Sequence, residues 1–411
     1  MSYSYKSIHL PWLSQIPKHW ELVRNKVLLY ETKNTVGSEH AKYQLLSLTK
    51  NGVIIRDISS GKGKFPSDFG TYKTVNDGQI IFCLFDVDET PRTVGLSKHN
   101  GMITGAYDVF SINGVNPCFL EYYYILLDDA KAMRPLYTGL RKVISINAFM
   151  QTYFPLPPRP EQDQIVRFLD WKVSGINKLI NAKRRQIELL REKKRVVVNE
   201  AVSNSGNCQK CKLKNLAFFK SGTNLTSLEI ELAGKYPVFG GNGLRGYYPE
   251  FSHTGEYLLV GRQGALCGNI HYVNEKFWAT EHAVTVKPYD IANIRWLYYF
   301  LIGMNLNQYS MAAAQPGLSV EYIVNLPAYF PTKDKQLSIA EYLDKKCAQI
   351  DSIINKLNDE ISLFAEYRTR LISDVVTGKV DVRGVVVPEF EAVEDFVGEE
   401  EGDFVADEET S

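Results

Sequence analysis

The sequence predicts an α+β protein built twice over. Two strand-rich domains related by a pseudo-two-fold axis are each followed by a long helix, and the two helices pair as an antiparallel coiled coil. Three observations carry this expectation. First, FLDWKVSGIN (168–177) is echoed by YLDKKCAQID (342–351). At the same offset Pro157, Gln162, Ile165, Leu169 and Asp170 recur as Pro331, Gln336, Ile339, Leu343 and Asp344. Second, both echoing segments carry apolar residues at heptad spacing. Third, the intervening stretches hold short β-type runs such as VIIRDI and EYLLVGR among Gly, Asn and Tyr, the mark of small mixed domains with many loops.

The first strand-rich domain is placed at 1–155. Its upstream half drifts in offset from the second copy but keeps the pattern. DGQIIFCLF (77–85) resembles TGEYLLVGR (254–262), MITGAYDVF (102–110) resembles WATEHAVTV (278–286), and FLEYYYILL (119–127) resembles WLYYFLIGM (296–304). Tyr122–Tyr124 and Tyr298–Phe300 read as helix core rather than as stacking platforms for bases. A period this long means duplicated halves, not a solenoid. Next comes the first long helix, 156–206. Prolines and acids mark its start, as helix N-termini favour. Leu169, Ile176, Lys183, Leu190 and Val197 fall seven apart, as do Val173, Ile180, Ile187, Lys194 and Ala201. This is an a/d seam interrupted by two lysines. The second domain spans 207–329 and the second helix 330–384. That helix repeats the seam through Leu343, Ile350, Leu357, Phe364 and Leu371, with Cys347, Ile354, Ile361, Arg368 and Val375. At 1.5 Å per residue, about 35–40 residues make a rod of roughly 55–60 Å. Each seam needs a partner, and the economical partner is the other. An ordinary core helix in each domain is the competing reading, and five heptads are long for that.

Net charge is zero over 411 residues, but unevenly so. Eleven of the 47 acidic residues lie from Glu389 onward, with no Lys or Arg among them, so residues 1–388 carry 47 basic against 36 acidic residues. Residues 385–411 are therefore expected to be an acidic disordered tail. The basic body is compatible with nucleic acid. The longest apolar run, near Trp296–Met304, is about half a bilayer span, and the N-terminus lacks a signal pattern. A soluble, cytoplasmic protein is expected. Six cysteines suggest no disulfide framework. Cys208 and Cys211 form a CxxC with no second pair to complete a zinc site, so no metal is expected.

Catalytic signatures are missing. NPCF (116–119) resembles the Asn-Pro-Pro-Phe loop of amino-methyltransferases, but no cofactor loop precedes it. SSGKGKF (59–65) lacks the spacing of a phosphate loop, and FGGNG (239–243) lies in the other half. What remains is a binding architecture. Two unlike domains on a rod suit a duplex with separated half-sites, the rod acting as ruler.

Four phrases carry a resemblance. PWLSQIPKHWELVRNKVL (11–28), LPPRPEQDQIVRFLD (156–170), FPTKDKQLSIAEYLD (330–344) and LISDVVTGKVDVR (371–383) resemble the opening, the two helix starts and the closing phrase of the specificity (S) subunits of type I restriction–modification enzymes. Lys335 stands where the family usually has glutamate. The resemblance implies two target-recognition domains that read a bipartite, asymmetric double-stranded DNA site. It implies a helical spacer that docks two methyltransferase (M) subunits and, through the complex, restriction (R) subunits. The chain itself would be non-catalytic and bind no cofactor, with S-adenosylmethionine, ATP and magnesium held by its partners. A structural adaptor that bridges proteins without reading DNA is the alternative.

Loops combining Arg or Lys with Gly, Asn or Tyr are the DNA-binding candidates. In the first domain these are Arg56, Lys62, Lys64, Lys73, Arg92 and Lys98; in the second, Asn242, Arg245, Tyr247, Tyr248, Arg262 and Gln263. Arg suits guanine, Asn and Gln suit adenine, and Lys tracks phosphates. Each is equally an ordinary solvated surface residue. Lys183, Arg184, Arg185, Lys193, Lys194 and Arg195 on the first helix could line DNA or face a partner.

Overall fold

The computed structural model describes residues 3–56, 69–138, 142–203, 208–264, 266–310 and 317–394. It resolves into two compact units, Met1–Arg184 with Asn358–Ser411, and Arg185–Leu357. The division falls inside both long helices, so each unit owns half of each.

The first unit opens with a hairpin, β1 (Tyr5–Leu10) and β2 (Leu13–Pro17), then β3 (Glu21–Arg24), α1 (Asn25–Leu28) and β4 (Leu29–Thr32). Further along are β5 (Leu46–Thr49), β6 (Gly52–Ile55), β7 (Lys73–Val75), β8 (Ile80–Phe82), β9 (Val94–Leu96), β10 (Gly101–Ile103) and β11 (Asp108–Ile112). An antiparallel sheet in the order β4-β11-β8-β9 is its centre. Helix α2 (Pro117–Asp129) covers it. Asn116 caps this helix, its side chain accepting from the Cys118 and Phe119 amides, with Pro117 in the first turn. NPCF is thus a helix start, a task that proline and asparagine serve well. Helix α3 (Ile146–Gln151) and β12 (Tyr153–Leu156), paired with β3, lead into α4 (Arg159–Ser203). The core is aromatic: Phe82, Phe110, Tyr124, Phe149 and Phe154 are all buried. Tyr123 and Tyr124 are core residues, as their helical setting suggested.

The second unit repeats this order. It runs through β13 (Gln209–Lys212), α5 (Leu213–Leu216), β14 (Ala217–Ser221), β15 (Tyr236–Gly240), β16 (Gly243–Tyr248), β17 (His253–Gly261), β18 (Ile270–Ala279) and β19 (Ala283–Pro288). Then come α6 (Ile294–Gly303), α7 (Val320–Val324), β20 (Pro327–Phe330) and α8 (Lys333–Val376). The sheet order β14-β19-β17-β18 matches β4-β11-β8-β9, and the β15–β16 hairpin extends it through a parallel pairing of β15 with β18.

Within each unit the two long helices share one core, through predicted seam positions such as Leu169, Val375, Leu343 and Cys347 and through neighbours off that seam. In the first, Ile165, Leu169, Ile372 and Val375 share the core; in the second, Val198, Val202, Leu343 and Cys347 do. The helices are antiparallel in the first unit: Arg368 donates to Asn177 at 2.6 Å, and Lys183 meets Glu360 and lies over the Phe364 ring. In the second unit Lys194 pairs with Asp351 at 2.7–2.8 Å. The two lysines that interrupt the seam are therefore cross-helix ion-pair donors. The helices run to 45 and 44 residues, longer than the heptads alone suggested.

The echo in the sequence is an echo in hydrogen bonds. Gln162, buried at the start of α4, accepts from the Asn116 amide at 2.7 Å and donates to Pro157 O at 2.7 Å. Gln336, buried at the start of α8, accepts from the Asn293 amide at 2.7 Å and donates to Ile291 O and Pro331 O at 3.0 and 2.9 Å. Each glutamine ties the capping residue of a sheet-covering helix to the start of a long helix. Two turns on, Tyr122 donates to Asp170 at 2.8 Å and Tyr299 to Asp344 at 2.7 Å. Ser145 and Ser319, likewise matched, cap α3 and α7.

The first unit adds a clasp with no counterpart among the described residues of the second. Glu161 is buried and accepts from the Tyr3 hydroxyl at 2.5 Å and the Trp20 indole at 3.0 Å, with His19 Nε2 at 2.7 Å. Gly378, just past the end of α8, has φ +72°, and an added Cβ would come within 2.6 Å of the Pro17 ring and 3.1 Å of Trp20. Glycine is needed there for conformation and for space. Tyr3 also lies under the Arg383 guanidinium, which Asp381 holds. The opening phrase, the first helix start and the closing phrase of the resemblance meet at this point. Beyond it, residues 385–394 depart from the disorder expected from composition. Gln164 donates to Val385 O, Ser174 accepts from the Val393 amide, and Asn177 donates to Val393 O. Polar side chains of α4 hold this backbone, which hydropathy and charge do not reveal.

Candidate nucleic-acid interface

Four backbone segments of the second unit converge beside the ends of its sheet. The turn Thr280–Ala283, closed by the Ala283 amide donating to Thr280 O at 2.9 Å, sits among them. The Arg262 amide donates to His282 O, the Gly222 amide to Ala283 O and the Thr223 amide to Ala279 O, each at 2.8–2.9 Å. An added Cβ at Gly261 would lie 2.0 Å from Gly241 O, and one at Gly222 would lie 2.4 Å from Thr280 O. These glycines permit a close approach of chains that side chains would prevent. The polar residues so gathered include Asn242, Arg262 and Gln263, three of the sequence candidates.

Each candidate of this unit has a definite place. Asn242 is in the β15–β16 turn and accepts from Asn269 at 3.1 Å. Arg245, exposed on β16, folds over Gly240 and donates to Ser227 at 3.3 Å. Tyr247 exchanges backbone hydrogen bonds with Glu231, and Tyr248 packs edge-on against Trp278 at 5.1 Å. Arg262 donates to Ser221 at 3.4 Å. Gln263 is exposed and bridges to Gly317.

The first unit repeats the turn as Thr104–Tyr107, closed by the Tyr107 amide on Thr104 O at 3.2 Å. The Ile144 amide donates to Leu84 O as the Leu318 amide does to Arg262 O. Leu84 thus occupies the place of Arg262 and Phe85 that of Gln263, one residue off the match read from sequence. The residues after Phe85 are acidic, with Asp86, Asp88 and Glu89 in one short turn. Asp88 accepts from the Tyr137 hydroxyl at 2.6 Å, which, with Lys142 nearby, holds its carboxyl below the usual range. Lys73 donates to Asp108 and to Tyr107 O, and Arg92 is held by Asp128 and Asp129 at 3.1 and 2.9 Å. Both cations therefore have carboxylate partners inside their own unit. Lys98 is 76% exposed, 3.5 Å from Glu394. Arg56 comes directly after β6, its amide on Leu45 O. Lys62 and Lys64 lie outside the described residues.

Sequence reading missed the Thr280–Ala283 turn, although its match to Thr104–Tyr107 was in view. It missed also that Glu281 Oε2, Thr280 Oγ1 and His271 Nε2 are buried without hydrogen-bond partners among the described residues. Burial holds the His271 ring below the ordinary histidine pKa. Buried polar atoms are nearly always paired, so two such atoms on adjacent residues of one turn single that turn out.

The family model for the type I restriction modification DNA specificity domain matches residues 206–363. A specificity subunit of the type I restriction enzyme EcoprrI from Escherichia coli is 48% identical over 124 residues, 30% of this chain and 30% of that protein. A putative type I restriction enzyme specificity subunit of Haemophilus influenzae is 26% identical over 118 residues, 28% of this chain and 31% of that one. The matched stretches thus span about a third of the length of these relatives. A solved chain from work on complex assembly and conformational transition of the type I R-M system shares the fold, with a TM-score of 0.64 at 15% identity, covering 89% of this chain and 99% of that one. The second half of the chain thus matches the type I restriction modification DNA specificity domain, and nearly all of its length shares the fold of that solved chain.

Proposed function

We propose that the chain is the non-catalytic DNA sequence-specificity subunit of a type I restriction–modification complex. Each unit reads one half of a bipartite, asymmetric duplex site. The long helices dock two methyltransferase subunits and, through them, the restriction subunits. S-adenosylmethionine, ATP and magnesium bind to those partners, and the complex works in the cytoplasm. The observation that carries this reading is a shared frame with unlike contents. Gln162 and Gln336 make the same docking bonds, while the turns at the sheet ends read Thr-Gly-Ala-Tyr in one unit and Thr-Glu-His-Ala in the other. Duplicated support with divergent loops suits two half-sites of different sequence.

Methylation profiling of the host genome with and without the gene tests it. One asymmetric split motif should lose its methylation when the gene is removed. Fluorescence anisotropy of random duplexes with the chain and its methyltransferase partner gives the second arm. A complex with no sequence preference, or a chain that methylates DNA unaided, overturns the reading.

A further inference from the structure

We propose that Glu281, on the Thr280–Ala283 turn, is a specificity-determining residue of the second unit, accepting a hydrogen bond from the exocyclic amino group of a base. This rests on the reading of the chain as a DNA-specificity subunit and assigns a residue within it. The turn is a fixed backbone feature, since the first unit builds it with the same closing hydrogen bond at Thr104–Tyr107. Its two middle side chains are what differ. Gly105 and Ala106 offer no polar group, whereas Glu281 and His282 offer a carboxylate and an imidazole.

The carboxylate is half satisfied. Glu281 Oε1 lies 3.0 Å from His282 Nε2, and Oε2 is buried with no partner among the described residues. The side chains of Glu281 and His282 are 35% and 38% exposed, so the group borders solvent while one oxygen is shut off from it. The exposed part of the carboxylate is open to a donor that a ligand brings, and the oxygen without a partner leaves the group short of hydrogen bonds in the free chain. The turn is hydrogen-bonded to Arg262, and Gly241 approaches it closely, which places Glu281 among the groups most suited to a duplex. A carboxylate there repels phosphate. Its attractive partner on a duplex is an amino group at a base edge, cytosine N4 or adenine N6 in the major groove. His282 Nε2 lies beside Oε1, at the solvent border of the turn.

The test uses the full chain assembled with its methyltransferase partner and a randomised duplex library, sequenced after binding. Wild type, Glu281→Gln, Glu281→Ala and the remote control Gln15→Ala, exposed on β2 of the first unit, are compared, with melting curves to check folding. Glu281→Ala should lose about ten-fold or more of the discrimination at one position of one half-site. Glu281→Gln, nearly isosteric and able to donate as well as accept, should shift the base favoured at that same position. The other half-site should stay unchanged, and the preferred base at the altered position in wild type distinguishes cytosine from adenine. If wild type selects a split site and both variants select it with the same ratios, Glu281 reads no base. A uniform loss over all positions likewise overturns the assignment in favour of a structural role. If wild type itself selects no sequence, the specificity-subunit reading fails and this assignment falls with it.

Discussion

The starts of the two long helices are the same device in different surroundings. Gln162 and Gln336 are both buried and both join a helix cap to a proline carbonyl. One residue earlier the copies part. Glu161 is enclosed by Tyr3, His19 and Trp20, whereas Lys335 is exposed. The reason lies in the neighbours: among the described residues, only the first unit has the β1–β2 hairpin and the segment after Gly378 to surround that position. A glutamate there is fixed by its donors, and its absence from the second copy goes with the absence of those donors. Duplication preserves what the helix needs and frees what only one context uses.

The largest effect should come from the shared element. Gln336→Ala leaves an amide and two carbonyls inside the protein without partners, a cost of about 3–5 kcal/mol. Gln162→Ala, which orphans one amide and one carbonyl, should cost about 2–4 kcal/mol. Denaturant unfolding with hydrogen exchange resolved by unit would check both. If either is silent, the docking bonds are not what the repeat preserves.

Glu161→Ala comes next, at about 2–3 kcal/mol, because it strands the Trp20 indole and the Tyr3 hydroxyl. Lys335→Ala at the matched position should stay within about 0.5 kcal/mol. Equal effects would mean that the clasp contributes nothing.

How much of this was legible depends on how far apart the partners lie in the chain. The heptads are local, and they located both helices and the seam. The two lysines within it were visible as interruptions, but their partners Glu360 and Asp351 sit beside the opposite seam and were not. The docking glutamines were visible as repeats, and their hydrogen bonds were not. Glu161 draws its partners from residues 3–20, over 140 positions away, and single-sequence periodicity carries no such information. The same limit applies to Lys73 and Arg92. Loop composition made them candidates for DNA, but their acids, Asp108 and Asp128, lie about 35 residues further on. Glu281 lay outside the loops that combine Arg or Lys with Gly, Asn or Tyr, and only its unpaired oxygen draws notice.

A smaller contrast lies two turns into the helices. Asp344 takes hydrogen bonds from Arg295 and Tyr299, and the Arg295 guanidinium also lies 4.6 Å from the Tyr272 ring. Burial acts to raise the Asp344 pKa, but these partners outweigh it and the net shift is downward. Asp170 takes its hydrogen bond from Tyr122, and Cys118 stands where the second unit has Arg295. Burial there prevails and its pKa is raised. The signs are opposite. Asp344 contributes stability above the ordinary aspartate range that is lost as pH falls through its lowered pKa. Asp170 contributes in its protonated form, below that range, and the contribution is lost as pH rises through its raised pKa. Acidification should therefore remove the Asp344 contribution and leave that of Asp170 in place. At pH 7, Asp344→Asn should cost about 1–2 kcal/mol, discounted for its partial exposure, and Asp170→Asn less than about 1 kcal/mol. Carboxyl-carbon titration by NMR would show the two shifts directly, and shifts of the same sign would break the contrast.

The smallest expected effect separates the candidate cations of the first unit. Lys98 meets an exposed Glu394 at 3.5 Å, a pair of the kind that contributes little to folding. Lys98→Ala should change stability by less than about 0.5 kcal/mol. Arg92, enclosed with the buried Asp128, should cost more when replaced and leave DNA affinity in the folded complex unchanged. If Lys98 contacts a phosphate, its replacement should weaken binding alike for all sequences and lower the slope of log affinity against log salt by about one. Glu394→Gln should then strengthen binding slightly at low salt, because it releases the ammonium group from its competitor. A Lys98→Ala complex with an unchanged salt slope would remove Lys98 from the proposed interface.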